Sequence, residues 1–234
     1  MRLTHPSPNR DTRPAGTVPD LLLLHYTGMP DARGALERLR CPEAKVSAHY
    51  LLLEDGQVLS LVAEEERAWH AGVSSWAGRE RVNDFSIGIE IVNPGHEWGY
   101  RPFPPAQMAS LRELAASICG RWAIPPERVL GHSDVAPARK EDPGELFDWP
   151  LLAGAGLAVW PAPVAGAEPD MALARHCLGG FGYHVPDDEA GFATLLRAFQ
   201  RHFRPQRVDG LLDPSTMALI RGLPLLSSGR PRRT

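Results

Sequence analysis

The segment GHSDVAPARKEDPG, residues 131–144, carries an imidazole (His132), an ammonium (Lys140) and a carboxylate (Asp142) in one stretch punctuated by Gly131, Pro137, Pro143 and Gly144. This punctuation predicts a loop rather than a helix, and irregular backbone is what folds three such groups back on one point. A second imidazole, His25, closes the apolar run Leu21 to Leu24, where a polar side chain has no packing reason to be. Two histidines and a carboxylate form a donor set suited to a catalytic zinc site, which takes three protein ligands and keeps a fourth position open for water. The separation of His132 from Asp142 excludes a helical HExxH arrangement, so the site has to be assembled from a strand end and a loop. Glu90, inside the apolar run FSIGIEIVN, is the candidate general base for an attacking water, and Lys140 the candidate stabiliser of an oxyanion. Taken singly, each has a plainer reading: a satisfied buried histidine, a partnered buried carboxylate, an exposed loop cation. Their combination is what points to metal-assisted hydrolysis.

The elements that must position these groups are legible in the apolar periodicity. Val18 to Tyr26 predicts a buried strand delivering His25, followed by a helix over DARGALERLR with Asp31 at its start. SAHYLLLEDGQVLSLV predicts a hairpin around Asp55-Gly56. FSIGIEIVN predicts a strand with Ile87, Ile89 and Ile91 on one face and Gly88, Glu90 and Val92 on the other. A long helix is expected from Pro105 to Trp122, then a short strand, Arg128 to Leu130, leading into the loop. Strands interleaved with helices give an α/β fold, a mixed central β-sheet flanked by helices, because the hairpin excludes an all-parallel sheet.

Residues 155–170, rich in Ala, Pro and Gly, read as a linker between residues 1–154 and a small three-helix unit at 171–223, with a tail at 224–234. In the unit, helices are expected around Met171 to Cys177, from Asp187 or Asp188 to Phe203, and from Asp213-Pro214 to Gly222. Phe192, Leu195, Leu196, Phe199 and Phe203 fall at helical spacing and read as core.

A length of 234 residues accommodates this two-part plan, and 43% hydrophobic with 23% charged residues is the balance of a soluble globular protein. The formal charge of -3 argues against wholesale nucleic-acid binding. Cys41, Cys119 and Cys177 are too scattered for a disulfide framework or a CxxC metal site. The N-terminal residues lack the apolar run of about 7 to 15 residues that a secretory signal needs, and no stretch approaches the roughly 18 apolar residues of a membrane span. The expectation is a cytoplasmic protein with no membrane partner, a periplasmic setting being the alternative. Without a long heptad pattern, a monomer is the default.

The set LLLLHYTGM, VSAHYLLLEDG, RAWHAGVSSWAGR, NDFSIGIEIVNPG and GHSDVAPARKEDPG resembles the type 2 N-acetylmuramoyl-L-alanine amidase family, relatives of peptidoglycan recognition proteins and of phage T7 lysozyme. The resemblance spans roughly residues 5 to 150. It implies a Zn2+ hydrolase that cuts the amide between N-acetylmuramic acid and L-alanine, with His25, His132 and Asp142 as ligands, Glu90 as catalytic carboxylate and Lys140 as transition-state support. AFQRHFRPQRVDGLLDPSTMALI resembles, over a shorter stretch, the three-helix peptidoglycan-binding domain. Members without a leader process soluble 1,6-anhydromuropeptides in cell-wall recycling, and that is the role expected here. An exported amidase acting on murein is the alternative.

Muropeptides carry carboxylates that guanidinium groups bind bidentately, so Arg67, Trp69, Arg81 and Asn83 are candidate substrate contacts, and His70 a candidate groove residue. A solvated surface explains the arginines equally well. His49 reads as packing within the sheet or orienting a neighbour. Two other functions fit parts of the sequence. A muropeptide-binding protein that does not cut would use the same groove, but the intact ligand set and Glu90 argue against it. A non-haem iron oxygenase would use His132-Ser133-Asp134 as its HxD pair, but helices between strands do not suit the all-β barrel of such enzymes.

Overall fold

The computed structural model describes residues 4–225, so most of the expected tail lies outside the described residues. In chain order the strands are β1 (Arg10–Thr12), β2 (Leu21–Tyr26), β3 (Tyr50–Leu52), β4 (Val58–Ser60), β5 (Glu66–Ala68), β6 (Ser75–Trp76), β7 (Arg79–Glu80), β8 (Ser86–Ile91) and β9 (Val129–Gly131). The helices are α1 (Ala32–Arg40), α2 (Gly95–Trp98), α3 (Pro105–Trp122), α4 (His132–Val135), α5 (Trp149–Gly154), α6 (Met171–Phe181), α7 (Glu189–Phe203) and α8 (Pro214–Arg221). Aspartates start most of the longer helices. Asp31, Asp148, Asp170, Asp188 and Asp213 each accept a hydrogen bond from a backbone N–H of the first turn, satisfying a donor that has no partner within the helix. Strand β2 starts later than its apolar pattern predicts, at Leu21, and leaves Val18 64% exposed.

The central sheet has the order β4-β3-β8-β2-β9. β3, β8, β2 and β9 run parallel, and the Asp55-Gly56 hairpin returns β4 antiparallel at the edge, which makes the sheet mixed as expected. Both faces of β2 are buried, and alternation divides its residues between two cores. Leu22 and Leu24, with Ile87, Ile89 and Ile91, pack against Met108, Leu111, Ala115 and Ile118 of α3. Leu21 and Leu23 point the other way, into a contiguous cluster with Trp76, Phe85, Phe181, Phe192, Phe199 and Phe203.

The cluster of α6, α7 and α8 therefore covers the second face of the sheet, and its apolar stripe faces β2 and Trp76 as well as its own helices. The expected linker is packed too. Ala158 and Ala167 are buried, Val164 N–H donates to the Ala218 carbonyl (3.0 Å), and Trp160 touches both cores. Hydrophobic contact thus runs across the sequence boundary at residues 155–170.

Candidate metal centre

His25 lies near the end of β2 and His132 follows β9 directly. Strand register sets Leu24 beside Gly131 and His25 beside Glu90, so three of the candidate groups arrive at the carboxyl end of the parallel strands. Ligands of open α/β sheets bind at this end. The loop expected to hold His132 is instead a helical turn, α4. Asp134 Oδ2 accepts from Gly131 N–H at 2.8 Å and closes that turn, which the Gly and Pro punctuation around it does not reveal. Beyond α4 the chain folds back, and Ser133 N–H donates to the Asp142 carbonyl (2.9 Å), which returns Asp142 to His132.

Three donor atoms meet there. His25 Nδ1 lies 3.0 Å from His132 Nδ1 and 2.9 Å from Asp142 Oδ2, and His132 Nδ1 lies 3.1 Å from the same oxygen. All three residues are buried. A tetrahedral zinc with ligands at about 2.0–2.1 Å sets its donors about 3.3 Å apart, so the triangle has the size of one face of such a site.

The outer hydrogen bonds fix which ring nitrogens face inward. His132 Nε2–H donates to the Ala71 carbonyl at 2.9 Å, leaving the Nδ1 lone pair directed at the centre. His25 Nε2 stands 3.0 Å from His70 Nδ1, and His70 Nε2 stands 3.3 Å from Ser86 Oγ. With a proton on each Nε2 this relay runs outward and again leaves a lone pair on His25 Nδ1. Two lone pairs and a carboxylate oxygen converging within about 3 Å repel one another unless a cation lies between them, so the donor chemistry fits a zinc ion.

Electrostatics agree with that role. Burial, then the neighbouring His132, lowers the His25 pKa to about 4, so this imidazole is neutral and free to ligate at neutral pH. Burial alone would raise Asp142, but His132 and His25 outweigh it and keep the carboxylate ionised. Glu90 behaves oppositely: burial, then the charge of Asp142, holds its pKa well above 4.5 against the pull of Lys140. Its buried Oε2 has no hydrogen-bond partner among the described residues. An unpaired buried carboxylate oxygen is costly in a purely structural role and is suited to accepting a proton from a reactant.

These groups line a cavity of about 620 Å³ that also includes Lys140, Trp69 and His70. Tyr26, Trp98 and Arg139 border it as well. None of these three was legible as a site residue, and Trp98, 56% exposed at the end of α2, lines the cavity. Arg139 donates from Nη2 to the carbonyls of Ala71 (2.7 Å) and Val73 (2.9 Å) and also borders a second, larger groove of about 1390 Å³.

Three of the candidate substrate contacts lie outside the metal cavity. Arg67 is held by Asp11 and Asp84 at 2.6–2.8 Å, one hydrogen bond from each of its three guanidinium nitrogens. Arg81 pairs with Asp84 (3.2 Å) and lines the second groove. Asn83 Oδ1 accepts from the backbone N–H groups of His70 (3.1 Å) and Ala71 (2.7 Å), so it positions the His70 ring and the Ala71 carbonyl behind the two histidine ligands. His49 is a buried orienting residue whose Nδ1 accepts from Gly88 N–H at 2.9 Å.

Gly88 leaves room for the His70 ring, since a Cβ there would stand 2.6 Å from His70 Cγ and Nδ1. The Gly88→Ala variant is therefore expected to displace His70, release His25 Nε2 and weaken zinc binding about 10- to 100-fold, as loss of an outer partner typically does. Competition titration against a chromogenic chelator measures this, and unchanged affinity would show that the relay does not orient His25.

Comparison with known proteins gives a consistent picture. The family described as N-acetylmuramoyl-L-alanine amidase matches residues 15–145. The chain is 38% identical over 227 residues to N-acetylmuramoyl-L-alanine amidase AmiD of Escherichia coli, an alignment covering 87% of this chain and 81% of that protein. Its fold is similar to the structure of AmiD from E. coli in complex with the substrate anhydro-N-acetylmuramic acid-L-Ala-D-gamma-Glu-L-Lys, with a TM-score of 0.79 and 35% identity over 95% of this chain and 91% of that one. It is also similar to AmpDh3 from Pseudomonas aeruginosa in complex with anhydromuramic pentapeptide, with a TM-score of 0.81 and 37% identity over 92% and 94% of the two chains.

Proposed function

The chain belongs to the N-acetylmuramoyl-L-alanine amidase family, and from that membership and the geometry of its metal centre we infer that it is a zinc-dependent hydrolase of the amide between N-acetylmuramic acid and L-alanine of muropeptides, acting in peptidoglycan recycling. The observation that carries this reading is the convergence of His25 Nδ1, His132 Nδ1 and Asp142 Oδ2 beside the unpartnered Oε2 of Glu90. The 1,6-anhydro form of the substrate is supported by the two similar structures, both of which hold an anhydromuramic peptide.

His25, His132 and Asp142 would hold the ion. Zinc at this position supplies Lewis acidity toward the scissile carbonyl and lowers the pKa of water to about 7. Glu90 Oε2 takes a proton from the attacking water, the task for which a raised pKa suits it. Lys140 lines the same cavity, and its ammonium donates to the carbonyl oxygen as negative charge develops there. Glu90 then returns its proton to the leaving L-alanine nitrogen, which departs as an amine. Trp69 and His70 form part of the cavity wall against which the substrate is oriented.

Mass spectrometry of the products tests the reading, with 1,6-anhydro-muramyl tripeptide and intact murein sacculi offered side by side, with and without chelator. Chelator-sensitive release of free tripeptide is the expected result, and the soluble compound is the expected preference. Zinc binding without cleavage of either substrate would make the chain a muropeptide-binding protein. Lys140→Ala is expected to lower kcat about 10²- to 10³-fold, the cost of losing an oxyanion donor. Steady-state kinetics reads this, and unchanged turnover would remove Lys140 from the mechanism.

Three finer readings belong to the same proposal. The wider kinship with peptidoglycan recognition proteins and T7 lysozyme rests on the motifs around His25, His49 and His132. Glycan binding by α6, α7 and α8 rests on AFQRHFRPQRVDGLLDPSTMALI, and co-sedimentation with murein tests it. A cytoplasmic setting is tested by cell fractionation; recovery from the periplasm would make polymeric murein the substrate.

A further inference from the structure

The α4 turn that carries His132 is held by residues of the C-terminal helices. Asp134, two residues after His132, is fully buried, and its carboxylate is shared among three donors. Oδ2 accepts from Gly131 N–H (2.8 Å) and from His202 Nδ1–H (2.7 Å), and Oδ1 accepts from Tyr183 Oη–H (2.6 Å). Two of those donors belong to the C-terminal helices: Tyr183 follows α6, and His202 lies in the last turn of α7.

The adjacent residue of α7 reaches the other end of the same segment. Arg201 Nη2 donates to Glu141 Oε1 at 3.0 Å, and Glu141 immediately precedes Asp142. One turn of α7 thus grips the chain next to two of the three candidate ligands. The His202 ring is held flat between Trp149 (centroids 3.7 Å apart, 17° between planes) and Phe203 (3.8 Å, 10°), which aims Nδ1 at Asp134. Its Nε2 is buried without a partner among the described residues. A ring placed only to fill space would not need an orphaned nitrogen, so the orientation of Nδ1 is the feature this packing secures.

We propose that Tyr183, His202 and Arg201 are positioning residues for the metal centre, acting through Asp134 and Glu141 to hold the 131–142 segment so that His132 and Asp142 face His25. The proposal rests on the zinc reading above and assigns the C-terminal helices a part in the catalytic centre in addition to any part in binding substrate. A metal site needs its donors held within about 0.5 Å, and outer-shell contacts commonly supply that precision.

The test uses the full-length protein. Tyr183→Phe removes one hydroxyl and keeps the ring, His202→Phe keeps the stack and removes the donor, and His202→Asn restores an N–H near the Nδ1 position. Readouts are the zinc dissociation constant by chelator competition, the visible spectrum of the Co2+-substituted protein, the separate effects on kcat and KM, and hydrogen exchange across residues 130–143 in the metal-free protein. Tyr183→Phe and His202→Phe are expected to weaken zinc about 10- to 100-fold, alter the Co2+ bands, lower kcat with KM little changed and speed exchange in that segment. His202→Asn is expected to recover most of each loss. Wild-type affinity and spectrum in Tyr183→Phe, or no recovery in His202→Asn, overturns the proposal. Should the wild type bind no zinc, the zinc reading fails by itself, and the exchange data decide on the brace: unchanged protection in Tyr183→Phe removes it.

Discussion

Glu90→Gln is expected to lower kcat about 10³- to 10⁴-fold while leaving KM and zinc content near those of the wild type. The amide keeps the size and burial of the carboxylate but cannot accept a proton, so the change removes general acid–base catalysis, which supplies about 10²- to 10⁴-fold. A value near the upper end follows from Glu90 serving twice, first as base toward water and then as acid toward the leaving nitrogen. Burial and the charge of Asp142 favour its protonated form, so wild-type kcat/KM should climb as pH rises through a value above 4.5. Below that value the base is occupied by its own proton. In Glu90→Gln the acid limb should disappear from the residual rate. A variant with more than a tenth of wild-type turnover and an unchanged acid limb would move the base elsewhere.

The position of Glu90 also shows what the sequence makes legible. Its face was readable from the alternation of Ile87, Ile89 and Ile91, because a strand buried on both sides still separates odd from even residues. In the fold those isoleucines pack toward α3, while Glu90 sits level with His25. The helices were legible for a related reason, since their apolar spacing and aspartate starts are local signals. Long-range pairing left no local trace. Nothing in LGGFGYHV or FQRHFRP announces that Tyr183 and His202 meet Asp134, or that the α6–α8 stripe closes over the sheet face. The surroundings of Arg67 and Arg81 were not legible, because an arginine has the same sequence signature whether its guanidinium is free or paired with acids such as Asp11 and Asp84.

His132→Ala is expected to lose zinc and activity together. Apparent binding of about 10–16 kcal/mol, shared among four ligands, gives about 2.5–4 kcal/mol for each, or about 60- to 10³-fold in affinity. The loss here should reach the upper end, because the removed imidazole is also one of the two rings that face Asp142 Oδ2, and its absence leaves His25 alone beside that carboxylate. Chelation of the wild type should have a thermal counterpart. Zinc in a thousandfold excess over its dissociation constant stabilises the native state by about 4 kcal/mol, which for a chain of this length is about 8–16 °C in Tm. Protons should compete with zinc for His25 only as pH falls toward about 4, where its depressed pKa lets it charge. Asp142, held lower still by the two imidazoles, competes at more acidic pH. The zinc-dependent part of Tm should therefore persist through the neutral range and collapse in acid, while in His132→Ala at the same zinc concentration it falls to about 1 kcal/mol or a few °C. Calorimetry with and without chelator across that range tests both statements. Stoichiometric zinc with normal turnover in purified His132→Ala would remove His132 from the ligand set.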